Sequence, residues 1–119
     1  MAERIAGTAY LKVDGVKYEV GDSLTVSLAT VTREPVTGLS GVAGYKEIPR
    51  TPYIEAEIIY VSETDIEEIE GTTKANVQVE LANGKVGLLK DAWQAGEIEV
   101  NAENGRFTVR FEGSDGKWL

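Results

Sequence analysis

Paired carboxylates are the residues of this chain whose spacing could support chemistry. Glu55 and Glu57, and likewise Glu97 and Glu99, are separated by one residue, so each pair would lie on one face of a β-strand. Two carboxyl groups that flank a bond can act together in glycoside hydrolysis. Neighbours on one strand face open solvent as readily as a cleft, however, and no nucleophile motif accompanies them. A hydrolase is therefore the least favoured interpretation, and we expect no enzyme and no catalytic residue.

The composition removes most other kinds of active site. The 119 residues include no histidine and no cysteine, which excludes disulfides and thiolate metal sites and removes the commonest general base. The acidic run that starts at Glu63 resembles the beginning of an EF-hand loop, but its sixth position is Glu68 and its twelfth is Lys74. A solvated helix face explains these acids better. We expect no metal and no cofactor.

Three glycines, Gly38, Gly41 and Gly44, have the spacing of some phosphate-binding loops. No Lys-Ser or Lys-Thr pair and no helix follows them, as such a loop would need. Glycines at this spacing instead allow an extended segment to bend or to approach another backbone closely.

The charge and hydropathy exclude two further classes of partner. Twenty acidic and 12 basic residues give a net charge of −8, the wrong sign for binding phosphates, so we expect no nucleic-acid binding by contact. No apolar stretch approaches the roughly 20 residues of a membrane span, and Met1 to Gly7 lack a signal-peptide core. We expect no membrane association and a protein that functions, or is assembled, inside a cell.

Three Asp-Gly or Asn-Gly turns, at Asp14-Gly15, Asn83-Gly84 and Asn104-Gly105, predict β-hairpins. Alternating apolar residues flank each turn and predict the side chains of a buried face. They are Leu11, Val13, Val16, Tyr18 and Val20 at the first turn, Val77, Val79, Leu81, Val86 and Leu88 at the second, and Ile98, Val100, Phe107, Val109 and Phe111 at the third.

Two more strands and one helix complete the predicted elements. Leu24, Val26 and Leu28 alternate with polar residues, and so do Ile54, Ala56 and Ile58. A short helix of about residues 63–70 would be capped by Ser62 and followed by Gly71. The sequence thus predicts a mainly β single domain, 1–119: an antiparallel β-sandwich or barrel of about seven or eight strands with one short α-helix.

A long segment from Thr32 to Ile54 interrupts these hairpins. It is rich in glycine and proline and reads as a long loop over residues 32–53, a length typical of functional loops. Its apolar residues argue against disorder, and the domain is too small to cover them all, so we expect contact with a neighbouring subunit. The expected inter-subunit residues are Arg33, Pro35, Leu39, Val42, Tyr45, Lys46, Ile48 and Arg50.

The chain ends in Trp118 and Leu119 after a small polar stretch. The terminal tryptophan could pack back onto the core of its own domain, or it could contact a partner, as aromatic anchors do. Trp93 is expected to pack internally.

Four passages in order along the chain resemble the tail tube protein of Mu-like contractile-tailed phages, or of a related prophage or phage-tail-like particle. They are A-G-T-A-Y-L-K-V-D-G, G-V-A-G-Y-K-E-I-P-R-T-P-Y-I-E, V-E-L-A-N-G-K with the following A-W, and R-F-E-G. The resemblance covers nearly the whole chain.

This resemblance implies a virion structural protein, a subunit that closes into homo-hexameric rings. The rings would stack into a tail tube inside a contractile sheath, and DNA would pass through the tube without specific binding. The implied partners are the sheath, the baseplate or tube initiator, the tape measure and the tail terminator proteins. The protein would be located in the virion and assembled in the host cytoplasm.

The acidity would then have a purpose, because acidic walls would let DNA slide without sticking. Six subunits at −8 each give a ring a net charge of −48. Because salt screens charges over roughly 8 Å at physiological ionic strength, only the acids that face the lumen would repel the DNA. Glu55 and Glu57 are the expected lumen-facing acids. The alternative function is a small β-barrel that binds a ligand or peptide with its long loop.

Overall fold

Ten strands and one helix are present in residues 10–119, the part of the chain that the computed structural model describes. The run from Met1 to Gly7, for which the sequence predicts no signal peptide, lies outside these residues. The strands are β1 (Tyr10–Val13), β2 (Val16–Ser27), β3 (Val31–Gly38), β4 (Gly41–Pro49), β5 (Tyr53–Ile59), β6 (Ala75–Glu80), β7 (Val86–Ala95), β8 (Val100–Asn101), β9 (Arg106–Glu112) and β10 (Asp115–Trp118), and the helix is α1 (Ile66–Glu70).

Six of these strands close into an antiparallel barrel. The ring runs β1, β2, β5, β9, β7, β6 and back to β1, and the pairing of β7 with β9 closes it. The strand β8 flanks β9, and β10 pairs with the first half of β7, while β3 and β4 form a separate two-stranded sheet. The expected mainly β barrel with one short helix is confirmed, with two more strands than the upper number expected.

The first predicted hairpin is confirmed, with one exception among its buried residues. Asp14 and Gly15 have φ angles of 47° and 87°, as a type I′ turn requires. The Asp14 carboxylate also accepts the N–H of Asn76 at 2.9 Å, which fixes the turn to the start of β6. Val16, next to the turn, is 43% exposed rather than buried.

The second hairpin has a different register from the predicted one. The strands are joined by the longer loop 81–85, in which the Leu81 N–H donates to the Lys85 carbonyl. Val79 therefore lies opposite Gly87 rather than Leu88. A one-residue slip moves every side chain to the other face, so Leu89 is buried and Leu88 lies half-buried on the outer face.

The third hairpin is shorter than predicted. Only two residues of β8 pair with β9, and Val100 is 46% exposed. Glu97 and Glu99 precede β8 in a loop, so they do not share a strand face as the sequence predicted. The main partner of β9 is the neighbouring strand β5, with which it pairs so that Phe107 lies opposite Ile58.

The two alternating patterns on either side of the long segment are confirmed as strands: Leu24 and Val26 lie in β2, and Ile54, Ala56 and Ile58 lie in β5. The first is not a separate strand, because β2 also contains Tyr18. The strand β2 continues through an irregularity between Val20 and Leu24 and then pairs with β5. The helix is shorter than predicted and begins three residues later, because Asp65 rather than Ser62 caps it by accepting the Glu68 N–H at 3.1 Å.

The interior of the barrel contains the alternating apolar residues of the strands and one residue of the helix. Buried side chains include Leu11, Val13, Tyr18, Leu28, Ile54, Ala56, Ile58, Ile69, Val77, Val79, Leu89, Ala92, Phe107, Val109 and Phe111. Their side chains fill the barrel, so functional groups are confined to its outer surface, its ends and the separate sheet.

Candidate assembly surfaces

The segment predicted as a long loop is instead a projecting β-hairpin, which we call the arm (residues 31–49). Its strands β3 and β4 pair along their length and meet at a turn that contains Leu39. Pairing satisfies the backbone and the β-branched residues favour strands, but the glycines and prolines hide the alternation in the sequence. The radius of gyration, 17.2 Å, exceeds the about 13–14 Å of a compact domain of this length.

Every arm residue except Val31 is exposed, including its large apolar side chains. Leu39 at the tip is fully exposed, Val42 is 73% exposed and Tyr45 64%. These side chains contribute nothing to the core of their own barrel. Exposed apolar residues grouped on one projecting element indicate a contact with something else.

A β-bulge near Ala43 determines which arm side chains share a face. Tyr45 lies opposite Pro35 and Val42 lies opposite Thr37. Positions 35 and 37 share a face because the strand period is two, so Val42 and Tyr45 also share it. Without the extra residue they would point to opposite faces, since they are three apart in sequence.

Charged residues of the arm pair within the arm. Arg33 lies on the same face as Tyr45, with Nε 3.7 Å from Glu47 Oε1 and the guanidinium 5.7 Å from the Tyr45 ring centre. Lys46 lies opposite Glu34. The Arg33–Glu47 pair is exposed, so it would contribute less than about 1 kcal/mol to stability. Ile48, 37% exposed, lies on the other face beside Thr32.

Arg50 lies at the root of the arm, where the arm joins the barrel. Its backbone N–H donates to the Thr30 carbonyl at 2.9 Å, and its Nη1 donates to the Ala29 carbonyl at 2.7 Å. The guanidinium is also 5.9 Å from the Tyr53 ring centre. Arg50 therefore joins the two ends of the arm and fixes the direction in which it leaves the barrel.

Glu55 and Glu57 project from the outer face of β5 and are each paired with an arginine of β9. Glu55 Oε2 lies 3.1 Å from Arg110 Nη1, and Glu57 Oε1 lies 3.0 Å from Arg106 Nη1. Arg110 Nε is also 3.9 Å from Glu112 Oε1. This surface, the β5/β9 strip, has three carboxylates and two guanidinium groups and thus a net charge of −1, so most of its negative charge is offset by neighbouring cations.

Trp118 and Leu119 at the end of the chain pack partly onto their own barrel and remain partly exposed. Trp118 belongs to β10, and its ring packs close to Gly87, where a Cβ would lie 3.3 Å from Trp118 Cζ3. Even so, Trp118 is 48% exposed and Leu119 62%. Trp93, expected to be internal, is 38% exposed because it lies near the end of β7, opposite Glu112.

A cleft of about 250 Å³ lies between α1 and the start of β6. It is open and its lining is mostly polar, with Tyr18 at its base. Burial raises the pKa of the Tyr18 hydroxyl, and the nearby Glu68 and Asp65 carboxylates raise it further. Within residues 10–119 no group of side chains is arranged to hold a metal ion, and no helix is long and apolar enough to cross a bilayer.

A barrel with a filled interior and a long exposed arm is typical of a protein that acts through contacts at its outer surface. The comparisons with known proteins identify the family to which this protein belongs. The family model for phage tail tube protein matches residues 2–118, nearly the whole chain. The chain belongs to the phage tail tube protein family, and it is a structural subunit of a phage tail tube.

Two similar proteins are themselves tail tube proteins. The Mu-like prophage FluMu tail tube protein of Haemophilus influenzae is 32% identical over 93 residues, 78% of each chain. The tail tube protein of Escherichia phage Mu is 32% identical over 91 residues, 76% of each chain. The resemblance to Mu-like tail tube proteins is thereby confirmed.

Solved structures support the fold at much lower identity. Hcp1 from Flavobacterium johnsoniae superposes with a TM-score of 0.64 at 17% identity and 94% coverage of both chains. The sheath/tube terminator of an extracellular contractile injection system, PVC, has a TM-score of 0.64 at 9% identity, with 93% of this chain and 92% of that chain covered. The barrel is thus shared with components of contractile injection systems.

Proposed function

We propose that copies of this chain close into hexameric rings, and that the rings stack into a tube inside a contractile sheath. DNA would pass through the tube without specific binding. The observation that carries this proposal is the arm, whose exposed Leu39, Val42 and Tyr45 have no cover on their own barrel. Family membership makes other copies of the chain the natural cover.

The physics of a two-stranded sheet supports the same conclusion. An isolated hairpin is marginally stable in water, because it lacks further strands or a helix to cover a face. The arm has only its own two strands and the root contacts of Arg50. A neighbouring subunit would supply the missing layer, so the arm would become fully ordered on assembly.

We further propose that Glu55 and Glu57 face the lumen. Both lie on the outside of the barrel wall, where a ring could present them to a central channel. Their pairing with Arg110 and Arg106 changes the expected electrostatics, because much of their charge is offset within the strip. The lumen would then repel phosphates weakly and offer DNA few unpaired cations.

The proposed partners beyond self-association are the sheath, the baseplate or tube initiator, the tape measure and the tail terminator. Similar solved structures include a sheath/tube terminator and the terminating cap of the anti-feeding prophage, which matches with a TM-score of 0.63 at 9% identity. Such likenesses support a fold that can join rings of different chains. The location would be the virion or a phage-tail-like particle, after assembly in the host cytoplasm.

The test is negative-stain electron microscopy of the purified protein over a concentration series, with the mass in solution measured by size-exclusion chromatography and light scattering. Rings or hollow tubes with six-fold symmetry are the expected result. The matched control replaces residues 32–48 by an Asn-Gly turn, which leaves the barrel intact and should remain monomeric. A wild-type protein that stays monomeric even with pre-formed tube as a seed would contradict the proposal and favour a ligand-binding module.

A further inference from the structure

The arm has two outer edges and two faces, and its hydrogen-bond register distinguishes them. Arg50 N donates to Thr30 O, which makes the adjacent pair, Val31 and Pro49, a non-hydrogen-bonded pair. Such pairs recur at every second position, so the pair that contains Pro35 is also of this type. The backbone groups of these residues point away from the partner strand, toward the outer edges.

Both prolines of the arm therefore occupy positions whose N–H would face an outer edge. Proline has no N–H, so Pro35 removes a donor from the free edge of β3, and Pro49 removes one from the free edge of β4. Unpaired edges invite strand addition, and proline is one of the residues with which proteins prevent it. The edges of the arm are consequently poor templates for pairing with another chain.

One face of the arm is better suited to contact than the other. The face of Val42 and Tyr45 carries apolar side chains that are 73% and 64% exposed. On the opposite face Val36 and Ile48 are only 44% and 37% exposed. Arg33, held by Glu47 and the Tyr45 ring, adds a pre-oriented guanidinium to the first face. Tyrosine and arginine are residue types enriched at the energetic centres of interfaces.

We propose that the arm docks onto the barrel of a second copy of this chain through the Val42 and Tyr45 face, and not by adding its strands to another sheet. This inference rests on the proposed assembly function and specifies how the arm takes part in it. The bulge near Ala43 is the device that makes the face, since it brings Val42 onto the side of Tyr45.

Family membership makes a second copy the occupant of this face, and the charge distribution agrees with it. The arm, residues 31–49, has two basic and two acidic side chains and so no net charge, whereas residues 60–70 of the barrel unit include five acidic and no basic ones. An arm without net charge can therefore approach the acidic barrel of another copy without the like-charge repulsion that two barrels exert on each other. The exposed apolar side chains then supply the affinity.

The experiment compares two double variants, Val42→Ser/Tyr45→Ser and Val36→Ser/Ile48→Ser, and the edge variant Pro35→Val. Thermal unfolding first checks that each barrel is unchanged, which is expected because all five residues are exposed. Tube formation is measured by electron microscopy and by the mass that sediments with tubes. The wild-type protein, assayed in parallel, tests the proposed function itself.

We expect Val42→Ser/Tyr45→Ser to reduce tube formation by about tenfold or more, because two apolar contacts are lost, and Val36→Ser/Ile48→Ser to reduce it far less. Pro35→Val restores an edge donor and should produce irregular aggregates that bind thioflavin T. Equal losses from the two double variants, or a larger loss from the second, would overturn the face assignment, and clean tubes without aggregates from Pro35→Val would overturn the edge assignment. If the wild type forms no tubes, the proposed function fails and this inference, which rests on it, fails with it; loss of tubes in the variants alone bears on the inference only.

Discussion

Arg110 Nη1 lies 3.1 Å from Glu55 Oε2, so the acid expected to repel DNA is paired across strands with a cation. The same relationship holds for the other expected lumen acid, because Glu57 is 3.0 Å from Arg106. Removal of both acids would therefore do more than delete two negative charges. It would also take from each of two guanidinium groups on the strip the glutamate with which it is paired.

Replacing Glu55 and Glu57 with lysine should slow DNA ejection, if the strip lines the lumen as proposed. The strip would then carry four cations, and phosphates would bind rather than slide. The measurement is infectivity and the rate of DNA release from particles whose tubes look normal. Glu63→Lys/Glu67→Lys makes the same charge change near α1 and is the control. Normal release from the first variant would contradict the lumen assignment.

Arg50→Ala should loosen the attachment that orients the arm relative to the barrel, and it should affect the stability of the barrel less. The side chain donates to the Ala29 carbonyl at 2.7 Å, and loss of one such hydrogen bond costs about 0.5–1.5 kcal/mol. We expect a small drop in the urea midpoint, faster amide exchange over residues 30–50 and fewer tubes. Arg33→Ala, within the arm, is the comparison and should leave exchange at the root unchanged. Unaltered exchange near Thr30 in Arg50→Ala would show that the guanidinium does not fix the root.

Gly116→Ala should detach β10 from the barrel. A Cβ at this position would lie 2.7 Å from the Leu28 carbonyl oxygen and 2.8 Å from its Cβ, which backbone atoms cannot relieve cheaply. The expected loss is about 1–3 kcal/mol in the free energy of unfolding, measured by urea titration. Gly38→Ala, where a Cβ meets nothing within 4 Å and φ is not positive, is the matched control. Equal stability of the two variants would refute tight packing of β10.

Tyr18 should make the fold less stable in alkali. Its pKa is raised in the folded state, mainly by burial and then by Glu68 and Asp65, so the folded chain holds the proton at a pH where the unfolded chain releases it. Stability is therefore lost as the pH rises above about 10, the ordinary pKa of tyrosine. Tyr18→Phe should show a smaller loss than the wild type in urea titrations between neutral and alkaline pH. Parallel curves for the two proteins would rule out this linkage.

Salt should promote assembly of the wild-type protein. Each subunit has a net charge of −8, and like charges on neighbouring barrels repel over roughly 10 Å at 0.1 M ionic strength and less at higher salt. The critical concentration for tubes, followed by light scattering, should fall as sodium chloride increases. A critical concentration that rises with salt would mean that ion pairs between subunits outweigh the net repulsion.

The sequence predicted those elements whose signals are local. The Asp14-Gly15 turn and the alternation of Ile54, Ala56 and Ile58 depend on φ preferences and period-two burial, and both are present. The register around Asn83-Gly84 was wrong because the turn has five residues rather than two, which no local pattern reveals. The arm was missed as a hairpin because it has no buried face to impose alternation.

The sequence predicted which residues would form the candidate surfaces better than it predicted the contacts that those residues make. Exposed apolar residues in the arm followed from a domain too small to cover them, and the exposure of Leu39 and Val42 agrees. The arginine partners of Glu55 and Glu57 were not foreseen, because they come from β9, about 50 residues later in the chain. Pairing between distant strands depends on how the barrel closes, and single-sequence periodicity does not contain that information.

The arm forms a sheet of its own and is joined to the barrel at one root, so its sequence can change without altering the packing of the core. Such a segment can be exchanged between related phages by recombination as an independent unit. Where two tail systems share a cell, a few arm residues would then decide whether their subunits mix in one tube or sort into separate ones. If the arm docks between subunits as proposed, the projecting hairpin would give each lineage a means of assembling only with its own kind.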